Sequence, residues 1–93
     1  MRTIERSSAF KRDYKREAKG QHRATLDADL VAVLSALAYD QPMETKHRDH
    51  DLSGDWSGYR ECHILPDLLL IYRKPDDATL RLARLGSHSE LFG

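Results

Sequence analysis

The stretch from Arg60 to Leu85 constrains the fold more than any other part of the chain. Arg60 to Ile64 alternates, Leu68 to Lys74 is apolar, and Thr79 to Leu85 alternates again, with Pro66-Asp67 and Pro75-Asp76-Asp77 as turns between them. Three strand-sized segments on short turns predict an antiparallel meander. Simple alternation puts Leu80, Leu82 and Arg84 on one face of the last strand and Arg81, Ala83 and Leu85 on the other. It also puts His63 on a face with Glu61, opposite Cys62. Neither pattern is cleanly half-polar, so both faces are expected to be partly covered, with a cleft beside the meander.

The apolar periodicity upstream is helical. Phe10, Tyr14 and Ala18 recur between a Ser8 cap and Gly20, and Lys11, Lys15, Lys19, Arg12 and Arg16 lie opposite them. Leu26, Leu30, Val33, Leu34 and Leu37 form a second stripe, with Thr25 as its cap and Pro42 beyond its end. The short link around Gly20 predicts an antiparallel hairpin of helices, whose leucines need a sheet face to cover. Arg2 to Arg6 is a short strand free to join a sheet edge, and residues 42–58 are polar and turn-rich. The expected fold class is α+β, in the order β-α-α-β-β-β, as one domain over residues 1–93.

A composition of 40% hydrophobic and 32% charged residues is that of an ordinary globular chain. Its zero net charge hides polarity: residues 1–23 hold eight basic side chains against three acidic ones, and residues 24–59 hold two against seven. Such a balance argues against a polyanion-binding surface all round, but it allows a local basic stripe on the first helix. The longest apolar run, Leu68 to Tyr72, is far too short to span a bilayer. Met1 to Arg6 lacks the apolar region of a secretory signal, so a cytoplasmic location and no membrane partner are expected. Cys62 is the only cysteine, which excludes an internal disulfide and a cysteine-rich zinc site.

Five histidines, His22, His47, His50, His63 and His88, supply the chemistry. They fit three readings: a metal site using His47-x-x-His50 with His63, Asp67 and His88; scattered histidines with ordinary hydrogen bonds; or acid–base catalysis on a phosphate ester. Cleaving RNA through its own 2′-hydroxyl needs a base, an acid and positive charge at the phosphate, with no metal or cofactor. His50, His63, Asp67 and His88, with Arg84, contain all of these parts.

The motifs Asp49-His50-x-Leu52, Gly54-x-Trp56-x-Gly58-Tyr59-Arg60-x-x-His63-x-x-Pro66-Asp67, Leu69-x-Ile71-Tyr72 and Arg84-x-Gly86-x-His88-x-x-Leu91-Phe92 resemble the YafQ branch of the RelE/ParE toxin superfamily. The resemblance implies a helical hairpin on a small, mostly antiparallel curved sheet. It also implies a toxin of a bacterial type II toxin–antitoxin pair that cuts messenger RNA in the ribosomal A site. The positions matching His50, His63, Asp67 and His88 would be the acid–base set, and those matching Arg84 and Phe92 would hold the phosphate and nucleotides. A DinJ-like antitoxin would be the protein partner, reaching operator DNA through its own DNA-binding half. Ribosome and messenger RNA would be the other partners.

On that reading His88 is the general acid and His50 the general base, with Asp67 and His63 orienting them or sharing the base role. The flanking Asp49 and Asp51 also suit His50 to be the acid, so the two roles are interchangeable at this point. Lys11, Lys15 and Lys19 would lie against ribosomal RNA. Trp56, Tyr59 and Tyr72 read as packing residues. Two departures from the family pattern stand out: Leu68 replaces an aromatic after the aspartate, and Asp51 rather than proline follows His50, which predicts a looser loop. The alternative function is a non-catalytic, ParE-like toxin that binds gyrase, a branch that shares the fold but lacks the histidine set; a metal-binding module comes behind it.

Overall fold

A computed structural model of the chain describes residues 1–93. Strand β1 (Thr3–Arg6) leads into helix α1 (Ser8–Glu17) and, through the Gly20 link, into α2 (Leu26–Ala38). Strands β2 (His50–Asp51), β3 (Arg60–Leu65), β4 (Leu68–Arg73) and β5 (Thr79–Gly86) follow, and α3 (His88–Phe92) closes the chain. The five strands form one sheet in the order β1-β5-β4-β3-β2, with β1 parallel to β5 and every other pair antiparallel. The α+β expectation holds, and the first strand does join an edge. Two short elements add to the expected order, β2 and α3. No helix is long and apolar enough to cross a membrane.

Helix α1 is capped by Ser7 rather than Ser8: the Ser7 hydroxyl accepts from Phe10 N at 2.9 Å and donates to Ala83 O at 2.7 Å. Its inward face keeps Phe10 and Tyr14 of the expected stripe, both packed on the main core, but Ala18 is exposed and Asp13 is buried beside them. A carboxylate enters the buried face because β1 stops at Leu82, leaving the next backbone groups of β5 without a strand to pair with. Helix α1 supplies the substitutes: Leu85 N donates to Asp13 at 3.0 Å, and Arg16 Nη2 donates to Leu85 O at 2.8 Å. Thr25 sits at the N-cap of α2 without a side-chain cap bond, while Asp27 and Asp29 place negative charge in the first turn.

The main core joins Phe10, Leu26, Leu30, Val33 and Leu37 of the helices to Leu68, Leu70, Tyr72, Leu80, Leu82 and Leu85 of the sheet. A smaller cluster, Leu69, Ile71, Ala83 and Leu91, covers the opposite face, with Leu52, Trp56 and Tyr59 packed on it. Central β4 is therefore apolar on both sides, which explains its unbroken Leu-Leu-Leu-Ile-Tyr run. The register slips between β4 and β5: Tyr72 pairs with Leu82, but Ile71 pairs with Arg84. Ala83 is the extra residue, and this bulge reverses the alternation beyond it. Leu85 consequently joins Leu80 and Leu82 in the main core, and Arg84 turns to the face of Ile71, contrary to the simple alternation.

Candidate active site

The face turned away from the helical hairpin carries the chemistry. Strand register puts His50, Glu61, Ile71 and Arg84 in one row across β2, β3, β4 and β5, with His63, Leu69 and Gly86 as the adjacent row. Strands lie about 4.8 Å apart, so the row places the His50 and Arg84 backbones within about 15 Å. Glu61 is the anchor: it is buried, and its Oε1 lies 3.8 Å from His50 Nε2 and 3.6 Å from His63 Nε2. At the outer nitrogen, His50 Nδ1 meets Arg48 O at 2.6 Å and His63 Nδ1 meets Pro66 O at 3.3 Å. A carbonyl only accepts, so each Nδ1 carries the hydrogen, and in the neutral ring Nε2 is the proton acceptor.

His50 belongs to a two-residue strand, too short to hold itself. A bracket on β3 holds it instead. Arg60 reaches Asp49 with Nη2 at 2.9 Å and Asp51 with Nη1 at 2.5 Å, one carboxylate on either side of His50. The hydrogen bond to Asp49 raises the Arg60 pKa further, ahead of the opposing effect of burial. The Tyr72 hydroxyl also donates to Asp49 from the core, and burial together with that bond pushes the phenol above its ordinary value. Asp51, in the place of the family proline, thus pairs with Arg60 on β3. Both aspartates are committed to Arg60, and the carboxylate facing His50 is Glu61.

His63, Asp67 and His88 line one shallow cleft of about 450 Å³, together with Pro66, Leu69, Ser87 and Ser89. His88 opens α3, whose N-terminus is set by a capping box: Ser87 Oγ accepts from Glu90 N, and Glu90 accepts from Ser87 N at 2.8 Å. One turn on, the Phe92 ring lies 5.0 Å from the His88 ring and is partly exposed. Asp67 touches neither His63 nor His88 by hydrogen bond. Its Oδ2 accepts from Gln21 Nε2 at 3.0 Å and its Oδ1 lies 3.0 Å from His22 Nε2, both in the link between α1 and α2. Leu68, in the place of the family aromatic, is fully buried in the main core and turned away from the cleft. His47 is occupied with His63 O at 2.6 Å.

Arg84 is less free than a phosphate-binding residue was expected to be. Its fork grips Asp13 through Nε at 2.7 Å and Nη2 at 3.2 Å, which leaves three of its five N–H groups for other partners. Burial alone would raise the Asp13 pKa, but Arg84, the Leu85 N–H and Arg16 together hold the carboxyl below its usual range. Arg16 extends the chain of charges to Glu90 at 2.9 Å, linking α1 to the helix that carries His88. Lys11 and Lys15 border a separate groove between α1, α2 and β1, while Lys19 is exposed beyond the end of α1. The three lysines therefore stand apart from the histidine cleft.

Residues 2–93 match the sequence pattern of the family described as "Bacterial toxin of type II toxin-antitoxin system, YafQ". The chain belongs to the YafQ toxin family. The mRNA interferase toxin YafQ of Escherichia coli K12 is 35% identical over 92 residues, covering 97% of this chain and 99% of the relative. The fold matches YafQ in a crystal structure of the E. coli DinJ-YafQ toxin–antitoxin complex with a TM-score of 0.81, at 38% identity, covering 99% of this chain and 98% of that one. A metal-bound toxin from Helicobacter pylori matches with a TM-score of 0.81 and 44% identity over 99% of this chain and all of that one.

For a YafQ-family chain, four side chains at or behind the site escape motif reading: Glu61, Asp13, Gln21 and His22. Glu61 left one trace, its shared face with His63. The helix α3 left another, the Ser87-x-x-Glu90 spacing of a capping box. Nothing local marks Asp13 or His22, since each acts on a residue far along the chain.

Proposed function

We propose that this YafQ-family toxin is a metal-independent endoribonuclease that cuts messenger RNA in the ribosomal A site, working as a single domain over residues 1–93. One observation supports the reading: His63, Asp67 and His88 line a single cleft, and His50 and His63 both lie beside the buried Glu61. On this reading the three imidazoles and the carboxylate serve one site. His50, with Nδ1 tied to a carbonyl, offers Nε2 as the base for the 2′-hydroxyl proton. The 2′-oxygen forms a bond to phosphorus, the bond from phosphorus to the 5′-oxygen breaks, and exposed His88 protonates that leaving oxygen. The products are a 2′,3′-cyclic phosphate and a 5′-hydroxyl.

Asp67 and His63 orient the reacting groups, and the free N–H groups of Arg84 meet the phosphate's developing charge. Phe92 stacks on a base. Lys11, Lys15 and Lys19 contact ribosomal RNA through its phosphates, a contact weakened by salt. The protein acts in the cytoplasm, where a DinJ-like antitoxin restrains it and links it to operator DNA.

The test is cleavage of messenger RNA on purified ribosomes. His88→Ala is expected to lose about 10²–10⁴ in rate, the range of a lost general acid, with an unchanged melting curve. Wild-type cleavage by that variant would end the acid assignment. Intact message with damaged chromosomal DNA after induction would favour a gyrase-binding toxin instead. Cleavage is expected to persist in EDTA. Loss on chelation with recovery in a divalent metal would favour a metal-assisted reaction, the reading to which the metal-bound state of the H. pylori relative points.

A further inference from the structure

We propose that His22 and Gln21 are positioning residues for Asp67, so that the link between the two helices sets the geometry of the carboxylate in the cleft. The inference rests on the reading above, in which Asp67 takes part in cleavage. Asp67 stands on a two-residue turn, its side chain is 54% exposed, and no hydrogen bond from its own hairpin holds it. A carboxylate so placed turns freely unless something outside the turn fixes it. From some forty-five residues earlier in the chain, Gln21 Nε2 donates to Asp67 Oδ2 at 3.0 Å and His22 Nε2 lies 3.0 Å from Asp67 Oδ1, while Gln21 Nε2 also meets His22 Nε2 at 3.4 Å. One hydrogen bond on Oδ2 and the imidazole beside Oδ1 together limit how the carboxylate turns beside His63 and His88.

The His22 ring is only 17% exposed, well covered for a residue in a link, yet it belongs to neither apolar cluster. A contact with a half-exposed carboxylate adds little to stability. Orientation is a different matter, because a misplacement of about 1 Å can cost about 10²-fold in rate. The contact is therefore weak as a fold-stabilising device and strong as an alignment device.

The experiment is single-turnover cleavage of ribosome-bound messenger RNA by the full-length protein. His22→Ala is expected to lower the maximal rate about tenfold while leaving the half-saturating ribosome concentration unchanged. His22→Gln keeps a donor near the position of Nε2 and is expected to recover most of the rate, with Gln21→Ala showing a smaller loss. Combined with Asp67→Asn, His22→Ala is expected to add nothing, because the group it aligns is already changed. A wild-type rate for His22→Ala beside an impaired Asp67→Asn would overturn the alignment role alone. Fully additive losses in the double variant would do the same. A wild-type rate for Asp67→Asn would overturn the underlying assignment of Asp67 instead.

Discussion

Asp13 gives the most quantitative prediction. Its side chain is 5% exposed and receives four hydrogen bonds: two from Arg84, one from Arg16 at 3.1 Å and one from Leu85 N. In Asp13→Ala the buried Leu85 N–H loses its only acceptor, which costs about 1–3 kcal/mol. The two guanidinium groups are part-exposed and rehydrate, adding about 1 kcal/mol together. The total, about 2–4 kcal/mol, lowers the melting midpoint by roughly 10–25 °C in a domain of this size. Asp13→Asn keeps an acceptor for Leu85 N and loses only the charge, so about 1–2 kcal/mol is expected.

The pH dependence has a definite sign. The Asp13 pKa is lowered on folding, so its contribution is complete above the unfolded value near about 4 and fades as pH falls through the native value. The gap between wild type and Asp13→Ala should therefore narrow in acid. Urea unfolding at several pH values measures all of this. A loss under about 0.5 kcal/mol for Asp13→Ala would refute the reasoning. Equal losses for the asparagine and alanine variants would show that charge, rather than the substitute for strand pairing, is what matters.

Three further outcomes are expected. Arg60→Ala frees both aspartates beside His50 and should lower cleavage at least about tenfold, with Arg60→Lys in between because an ammonium lacks the fork that spans both; equal rates for all three proteins would remove the bracket from the account. Buried Cys62 has its thiol pushed up to about 12, first by burial and then by Asp49 and Glu61, so iodoacetamide at about pH 8 should label it only after unfolding, as mass spectrometry can report. In Gly86→Ala the new methyl would sit 2.7 Å from Arg16 Nη2, 3.2 Å from Glu90 Oε1 and 3.3 Å from Leu91 Cδ2. It should cost about 1–3 kcal/mol in urea unfolding and slow cleavage by shifting α3, which carries His88; a neutral variant would show that α3 docks loosely.

Much of the fold was legible because its signals are local. The leucines of α2 repeat with the helical period, and the two proline turns cut the last third into strands. Short elements left fainter marks: β2 has two residues, too few for any alternation, and α3 shows only its capping spacing. The site residues were named by motif resemblance rather than by pattern, and motifs carry no information about what each side chain touches. Arg84 illustrates the limit. Its type suits a phosphate, yet a bulge chooses its face and a buried carboxylate from α1 takes two of its donors.

The sequence by itself determined the helical hairpin, the longer strands and the inventory of imidazoles and carboxylates, because periodicity and residue type are properties of neighbouring positions. Tertiary structure decided which of those groups share a partner: His50 and His63 on Glu61, Asp67 on His22 and Gln21, Arg84 on Asp13. The Asp67 and Asp13 contacts join residues far apart in the chain, and all depend on sheet register or helix docking, which no local preference encodes.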